Sequence, residues 1–260
     1  MGERLIKHQP VTLANVPQSK VISCAVSADA ANVICALKDR NIQVVPVTRC
    51  THLAKPVASH ADMQLCYVGN GRAFVAQEAI ALQPKLQELG ITAQIIQKPL
   101  TAIYPHDILL NCLFLNQHCF GLQSNVAQEI LDFCKDHSIE FLNCKQGYTR
   151  CSVAVAGDNL AITADRALHK ILMSHQIECL LIEPGGISLP GYSTGFIGGC
   201  CGLIDNNLLA FAGDLKNYVQ GEKIIEFLNR HQVKYECLHS GNLTDVGGII
   251  PLSCANLELI

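Results

Sequence analysis

The sequence has no basic stripe, no acidic tail, and no apolar run near the roughly 18 residues that a membrane-spanning helix needs. A net charge of -3, spread along the chain, excludes an electrostatic binder of nucleic acid. The opening residues MGERLIKHQPV lack the apolar segment of a secretory signal, so a soluble cytoplasmic protein without a membrane partner is expected. No CxxC occurs among the 14 cysteines, which removes the usual frame of a structural zinc site, and no metal is expected. Cysteines such as Cys24, Cys35, Cys66, Cys112, Cys134, Cys179 and Cys237 sit inside apolar strand and helix patterns. They read as small, reduced core residues. Neither GxGxxG nor a P-loop appears in the strand-to-helix setting that nucleotide binding requires, so no cofactor is expected.

What is present is repetition. With 260 residues and 49% apolar content the chain can bury a large core, as one large domain or two small ones. Between Lys145 and Glu183 a strand (Cys151 to Ala156), a Gly157-Asp158-Asn159 turn and a second strand (Leu160 to Ala164) follow in order. Asp165 then caps a helix (Arg166 to His175), and a third strand (Ile177 to Ile182) completes a ββαβ unit. The same order predicts a unit from Met63 to Ile96 around Gly69-Asn70-Gly71, with a helix from Glu78 to Leu89. Another runs from Ile108 to Asn143 around Asn116-Gln117-His118, and another from Cys200 to Leu238 around Asp205-Asn206-Asn207. The helix-to-strand junctions NIQVVPV, GITAQII, SIEFLNC, QIECLLI and VKYECLH are the most alike. A further unit joins a strand (Lys20 to Val26), a helix capped at Ser27 or Asp29 and the strand Ile42 to Val47. Its leading strand is either Val11 to Val16 or the C-terminal Gly247 to Ser253.

The repeats thus fall at about 11–48, 60–98, 107–145, 150–183 and 198–239, with a closing strand at 247–253. A unit with one helix cannot cover both faces of its sheet, so neighbours must bury the remainder, and a closed ring removes free edges. The expected fold is therefore an α/β propeller of five ββαβ blades with pseudo-fivefold symmetry, an axial channel and a single domain over residues 1–260. Two α/β domains divided near residue 105 are the alternative.

Five such units resemble the pentein fold of guanidino-group-modifying enzymes, among them arginine and agmatine deiminases, dimethylarginine dimethylaminohydrolases and amidinotransferases. His60-Ala61-Asp62, just ahead of the second unit, looks like the His-x-Asp motif of that superfamily. The resemblance implies that His60 is an acid/base and that Asp62 orients it or the substrate. In an extended segment the two would point to the same side. It also implies a cysteine that attacks the central carbon of a guanidinium held by carboxylates. The usual C-terminal cysteine is missing: in TDVGGIIPLSC, matching the Pro-Leu pair puts Gly247 in its place, and matching the glycine pair leaves Cys254 two residues late.

Pseudosymmetry offers a substitute, because each unit sends the start of its first strand to the same axis. Cys151 holds that place in the fourth unit, after a polar segment whose Lys145 and Arg150 would lower a thiol pKa. It is the candidate nucleophile, and its alternative is another buried strand cysteine. By the same rule Asp107 or Asp245 could hold a substrate cation, and each could as easily cap a turn; Lys145 and Tyr148 are the other candidate substrate-binding residues. Cys200 and Cys201 also face the axis, while Asp165 and Asp214 read as caps. The glycine-rich stretch Glu183 to Gly199 is either a loop over the channel mouth or a plain linker. The expected function is a cysteine-dependent hydrolase or transferase acting on a guanidino or related small cationic compound. The alternatives are a non-catalytic binding protein or small-molecule sensor of the same fold, as in the pentein-like translation initiation factor that associates with the large ribosomal subunit.

Overall fold

A computed structural model describes residues 8–256. The first seven residues of the MGERLIKHQPV stretch therefore lie outside the described part. In chain order, β1 (His8–Pro10), β2 (Val21–Ser27), α1 (Ala31–Asp39) and β3 (Gln43–Val47) come first. Next are the single-turn α2 (Ala61–Gln64), β4 (Leu65–Gly69), β5 (Arg72–Val75), α3 (Leu82–Glu88) and β6 (Thr92–Ile95). The third module has β7 (Leu113–Leu115), β8 (His118–Gly121), α4 (Gln128–Asp136) and β9 (Glu140–Asn143). The fourth has the single-turn α5 (Thr149–Ser152), β10 (Val153–Gly157), β11 (Leu160–Thr163), α6 (Arg166–Ser174) and β12 (Glu178–Leu181). The fifth has β13 (Cys201–Asp205), β14 (Leu208–Phe211), α7 (Gly221–Arg230) and β15 (Lys234–Cys237), and β16 (Ile250–Ala255) ends the chain's regular structure.

These strands make five small sheets; in four of them a hairpin pair is antiparallel while the strand after the helix joins in parallel. The first sheet keeps that order only because β16 supplies its leading strand, giving β1-β16-β2-β3. Val11 to Val16 does not fill that role, since Asn15 has φ 64, a left-handed conformation that breaks an extended strand, and only a Leu13–Val16 bridge forms. Two of the hairpin turns use positive φ: Gly69-Asn70-Gly71 between β4 and β5, and Asn116 (φ 48) with Gln117 (φ 62) between β7 and β8.

Three local expectations need correction. The helix predicted from Glu78 splits into a 3-10 turn at Gln77–Ala79 and α3, because Pro84 has no N–H to give and is accommodated only in the first turn of α3. Neither Ser27 nor Asp29 caps α1; the Ser27 hydroxyl accepts from Asp29 N and donates to Ser59, and the Asp29 carboxylate takes Ser59 and Arg49. The strands predicted from Met63, Ile108, Cys151 and Cys200 begin later, at Leu65, Leu113, Val153 and Cys201, because the residues ahead of them wind into turns. Asp165 does cap α6, accepting from Ala167 N and Leu168 N, and Asp214 accepts from Lys216 N at a 3-10 turn.

Successive modules touch. Cys66 of the second lies 3.5 Å from Cys112 of the third, and Asn116 of the third donates to the His175 carbonyl of the fourth. The fifth returns to the first, where Ile249 N donates to Cys201 O and Arg40 Nε donates to Glu236 at 2.9 Å. One apolar cluster runs across residue 105, with Phe74 edge-on to Phe133 at 5.6 Å, so no core boundary falls there. All cysteines are free thiols, and all but Cys35 and Cys237 are buried; Cys35, expected in the core, is exposed. Among the described residues no helix is long and apolar enough to cross a membrane.

Candidate active site

The turns that delay the strands carry the polar side chains inward. α2 brings Asp62, the Ile108–Cys112 turn brings Asn111, and α5 brings Arg150 and Cys151. The 3-10 turn Gly198–Cys200 and the bend at Gly247-Gly248 close in on them: Asp62 N donates to Gly247 O, and Gly248 N donates to Gly199 O. The starts of all five leading strands are thus in mutual contact through side chains or backbone.

At the centre the Cys151 thiol donates to Asp62 Oδ2 at 3.0 Å. Asn111 holds both: its Nδ2 donates to the sulfur (2.9 Å) and to the Asp62 carbonyl (3.1 Å), while its Oδ1 accepts from Arg150 N and Cys151 N. Asp62, Asn111 and Cys151 are all buried, and Asp62 Oδ1 has no hydrogen-bond partner among the described residues. Burial first, then the charges of Asp62 and Asp245, push the Cys151 thiol well above its ordinary range, with only the Asn111 amide opposing. The expected lowering by Lys145 and Arg150 does not occur. Lys145 is exposed and makes no hydrogen bond or ion pair among the described residues. The Arg150 guanidinium instead runs to neutral acceptors, Asn15 Oδ1 at 2.9 Å and the Gly198 carbonyl at 3.3 Å.

His60 and Asp62 do not share one side of an extended segment, because Asp62 lies within the helical turn that follows His60. The His60 Nδ1 faces Asp245 Oδ1 at 3.6 Å, and Asp62 faces the thiol. Asp245 accepts from Phe196 N (2.9 Å) and Gly247 N (3.0 Å). Burial raises its carboxyl above the usual range, and His60 pulls it back. A side chain at Gly199 would collide with the Asp245 carboxylate. The glycine-rich stretch therefore wraps Asp245, and Leu189 and Pro190 from it line a cavity of about 570 Å³ that also meets His60, Asp245, Asp29, Arg49 and His239.

Asp107 and Tyr148 form a side branch. The Tyr148 hydroxyl donates to Asp107 Oδ2 at 2.5 Å, and the ring leans on Phe196 at 5.8 Å, leaving the buried Asp107 Oδ1 unpartnered. Of the sequence candidates, His60, Asp62, Cys151, Tyr148, Asp107 and Asp245 are joined by such contacts, directly or through Phe196 and Gly247, and Lys145 is not. Cys254 lies in β16, opposite Val21 of β2. At Gly247 (φ +74) an added methyl would overlap the His60 side chain, so that position has no room for a thiol without displacing the imidazole.

The model of a Family of unknown function (DUF6873) matches residues 25–250. The chain belongs to that family. No curated protein matches it. Among solved structures, dimethylarginine dimethylaminohydrolase from Pseudomonas aeruginosa, complexed with citrulline, is 10% identical with a TM-score of 0.56, covering 92% of this chain and all of that one. Inosamine-phosphate amidinotransferase from Streptomyces griseus is 11% identical (TM-score 0.58, 93% and 96% covered). Agmatine deiminase from C. jejuni is 9% identical (TM-score 0.54, 94% and 96% covered). At these identities the likeness concerns the fold, and it is the pentein fold suggested by the repeats.

Proposed function

We propose that the five modules form one ring-shaped domain with an axial pocket, and that this pocket takes a guanidino or related small cation for cysteine-dependent hydrolysis or group transfer. The observation that carries this reading is Asp62: one carboxylate oxygen receives the Cys151 thiol, and the other is buried with no partner among the described residues. A guanidinium presents a planar fork of N–H donors suited to such an acceptor. Its positive charge would also offset the two carboxylates that hold the thiol protonated, so the ligand itself lowers the thiol pKa where attack must occur.

In that scheme the Cys151 proton passes to Asp62 and the sulfur bonds to the guanidinium carbon. His60, held by Asp245, protonates the departing amine, and the C–N bond breaks. Water or a second amine then attacks the thiouronium carbon, the C–S bond breaks, and the thiol is regenerated. The solved structures named above, a dimethylarginine dimethylaminohydrolase with citrulline, an amidinotransferase and an agmatine deiminase, support the substrate class.

A second reading, binding without turnover, is favoured by the glycine at position 247 and by the depth and raised pKa of the Cys151 thiol. One experiment separates the two. A Cys35→Ser background, which removes the exposed thiol, is incubated with a haloacetamidine with and without methylguanidine, and adducts are mapped by mass spectrometry. Labelling of Cys151, lost in Asp62→Asn and suppressed by methylguanidine, supports catalysis. Methylguanidine binding without a Cys151 adduct supports the binding protein, and neither binding nor a Cys151 adduct overturns both.

A further inference from the structure

Away from the acidic cluster, three side chains from two modules meet at one point. His118 opens β8, Glu140 opens β9 as its parallel partner, and His175 ends α6 in the next module. One nitrogen of each imidazole and one carboxylate oxygen all lie within 4.8 Å of one another. The tautomers follow from the neighbours. His118 Nδ1 is 2.6 Å from the Asn116 carbonyl, and His175 Nδ1 is 2.8 Å from the Ile171 carbonyl. A carbonyl only accepts, so both Nδ1 atoms carry hydrogens, and in the neutral ring the lone pair is then on Nε2.

His118 Nε2 faces Glu140 Oε2 at 3.4 Å, a spacing that either a proton or a metal ion between them satisfies, and the His175 nitrogen beside them adds a third donor that a metal ion would use. Ligand bonds of about 2.0–2.1 Å to zinc in a tetrahedral shell place neighbouring donors about 3.3 Å apart, close to that spacing. Imidazoles whose far nitrogen is fixed by a backbone carbonyl are the usual outer support of metal-binding histidines.

We propose that His118, Glu140 and His175 bind a divalent first-row metal ion, zinc by donor type, as a clip between the third and fourth modules with a fourth coordination position left for water. The set has no sequence motif, because its residues are spread from position 118 to 175 and only the module contact unites them. No sulfur takes part.

The test is calorimetric titration of chelator-treated full-length protein with zinc chloride, paired with the absorption spectrum of the cobalt(II) form. One ion per chain is expected, with cobalt bands that lack sulfur-to-metal charge transfer. Glu140 is exposed, so Glu140→Gln keeps the fold and should weaken binding at least about tenfold; His118→Gln and His175→Gln should abolish it. Absence of saturable zinc binding, binding unchanged in Glu140→Gln, or a thiolate charge-transfer band would each overturn the proposal.

Discussion

Replacing Gly247 by alanine should destabilise the fold by about 2–5 kcal/mol, from two sources that a neighbouring glycine separates. Gly247 has φ +74, a left-handed conformation that costs an L-residue about 1–2 kcal/mol. The added methyl would also overlap the His60 side chain, lying 2.5 Å from its Cα, and relieving such overpacking costs about 1–3 kcal/mol. Gly248 has nearly the same backbone, φ +78, but its nearest neighbour would be Arg150 Nη2 at 3.4 Å, ordinary contact. Gly248→Ala should therefore show the backbone cost alone. With a urea dependence of about 3 kcal/mol per molar for a chain of this size, the midpoint should fall by about 0.7–1.7 M for Gly247→Ala and by about 0.3–0.7 M for Gly248→Ala. Equal midpoints would show that His60 is not pressed against residue 247, and the account of why no thiol fits there would fail. Gly247→Cys meets the same collision, so it should move His60 rather than restore a nucleophile.

Two further outcomes are expected. Burial raises the Asp245 carboxyl above 3.8, so the folded chain holds that proton more tightly than the unfolded one. Its contribution to stability then falls as pH rises from about 4 through the raised value. Urea midpoints of wild type minus Asp245→Asn should decline over that window and level off above it; a difference that rises with pH would contradict the assignment. Iodoacetamide should modify Cys35 quickly and Cys237 slowly in the native protein, and all 14 cysteines in denaturant. Burial pushes Cys24, Cys179 and Cys201 up to about 12 and Cys144 to about 11, and rapid native modification of any of these would refute their placement.

The modules are legible because most repeat the same signals: a turn bearing Gly, Asn or Asp, an amphipathic helix and a short apolar run after a polar helix end. For the leading strand of the first module the sequence offers two segments, since apolar alternation reads alike at Val11 to Val16 and after Gly247. What decides is the left-handed Asn15 and the pairing of Ser23 with Ser253, whose hydroxyls lie 2.6 Å apart. The short turns ahead of the strands escape the pattern because each carries an apolar residue, Met63, Ile108, Cys151 or Cys200, that runs on into the strand it precedes. That hid Asn111 inside ILLNCLFL, although one buried amide in an apolar run was a signal that it must satisfy something polar. Arg150 was read as a cation for the thiol, but its guanidinium reaches Asn15, a residue far away in sequence that no spacing rule connects to it.

The strand that completes the first sheet comes from the far end of the chain. During synthesis β2 therefore waits with one hydrogen-bonding edge open until residues 250–255 arrive. A contact spanning more than two hundred residues is slow to find, and an unpaired strand edge meanwhile invites other chains. Loss of those six residues should thus act on the opposite end of the sequence, exposing β2 and releasing the Gly247 bend that holds His60 in place.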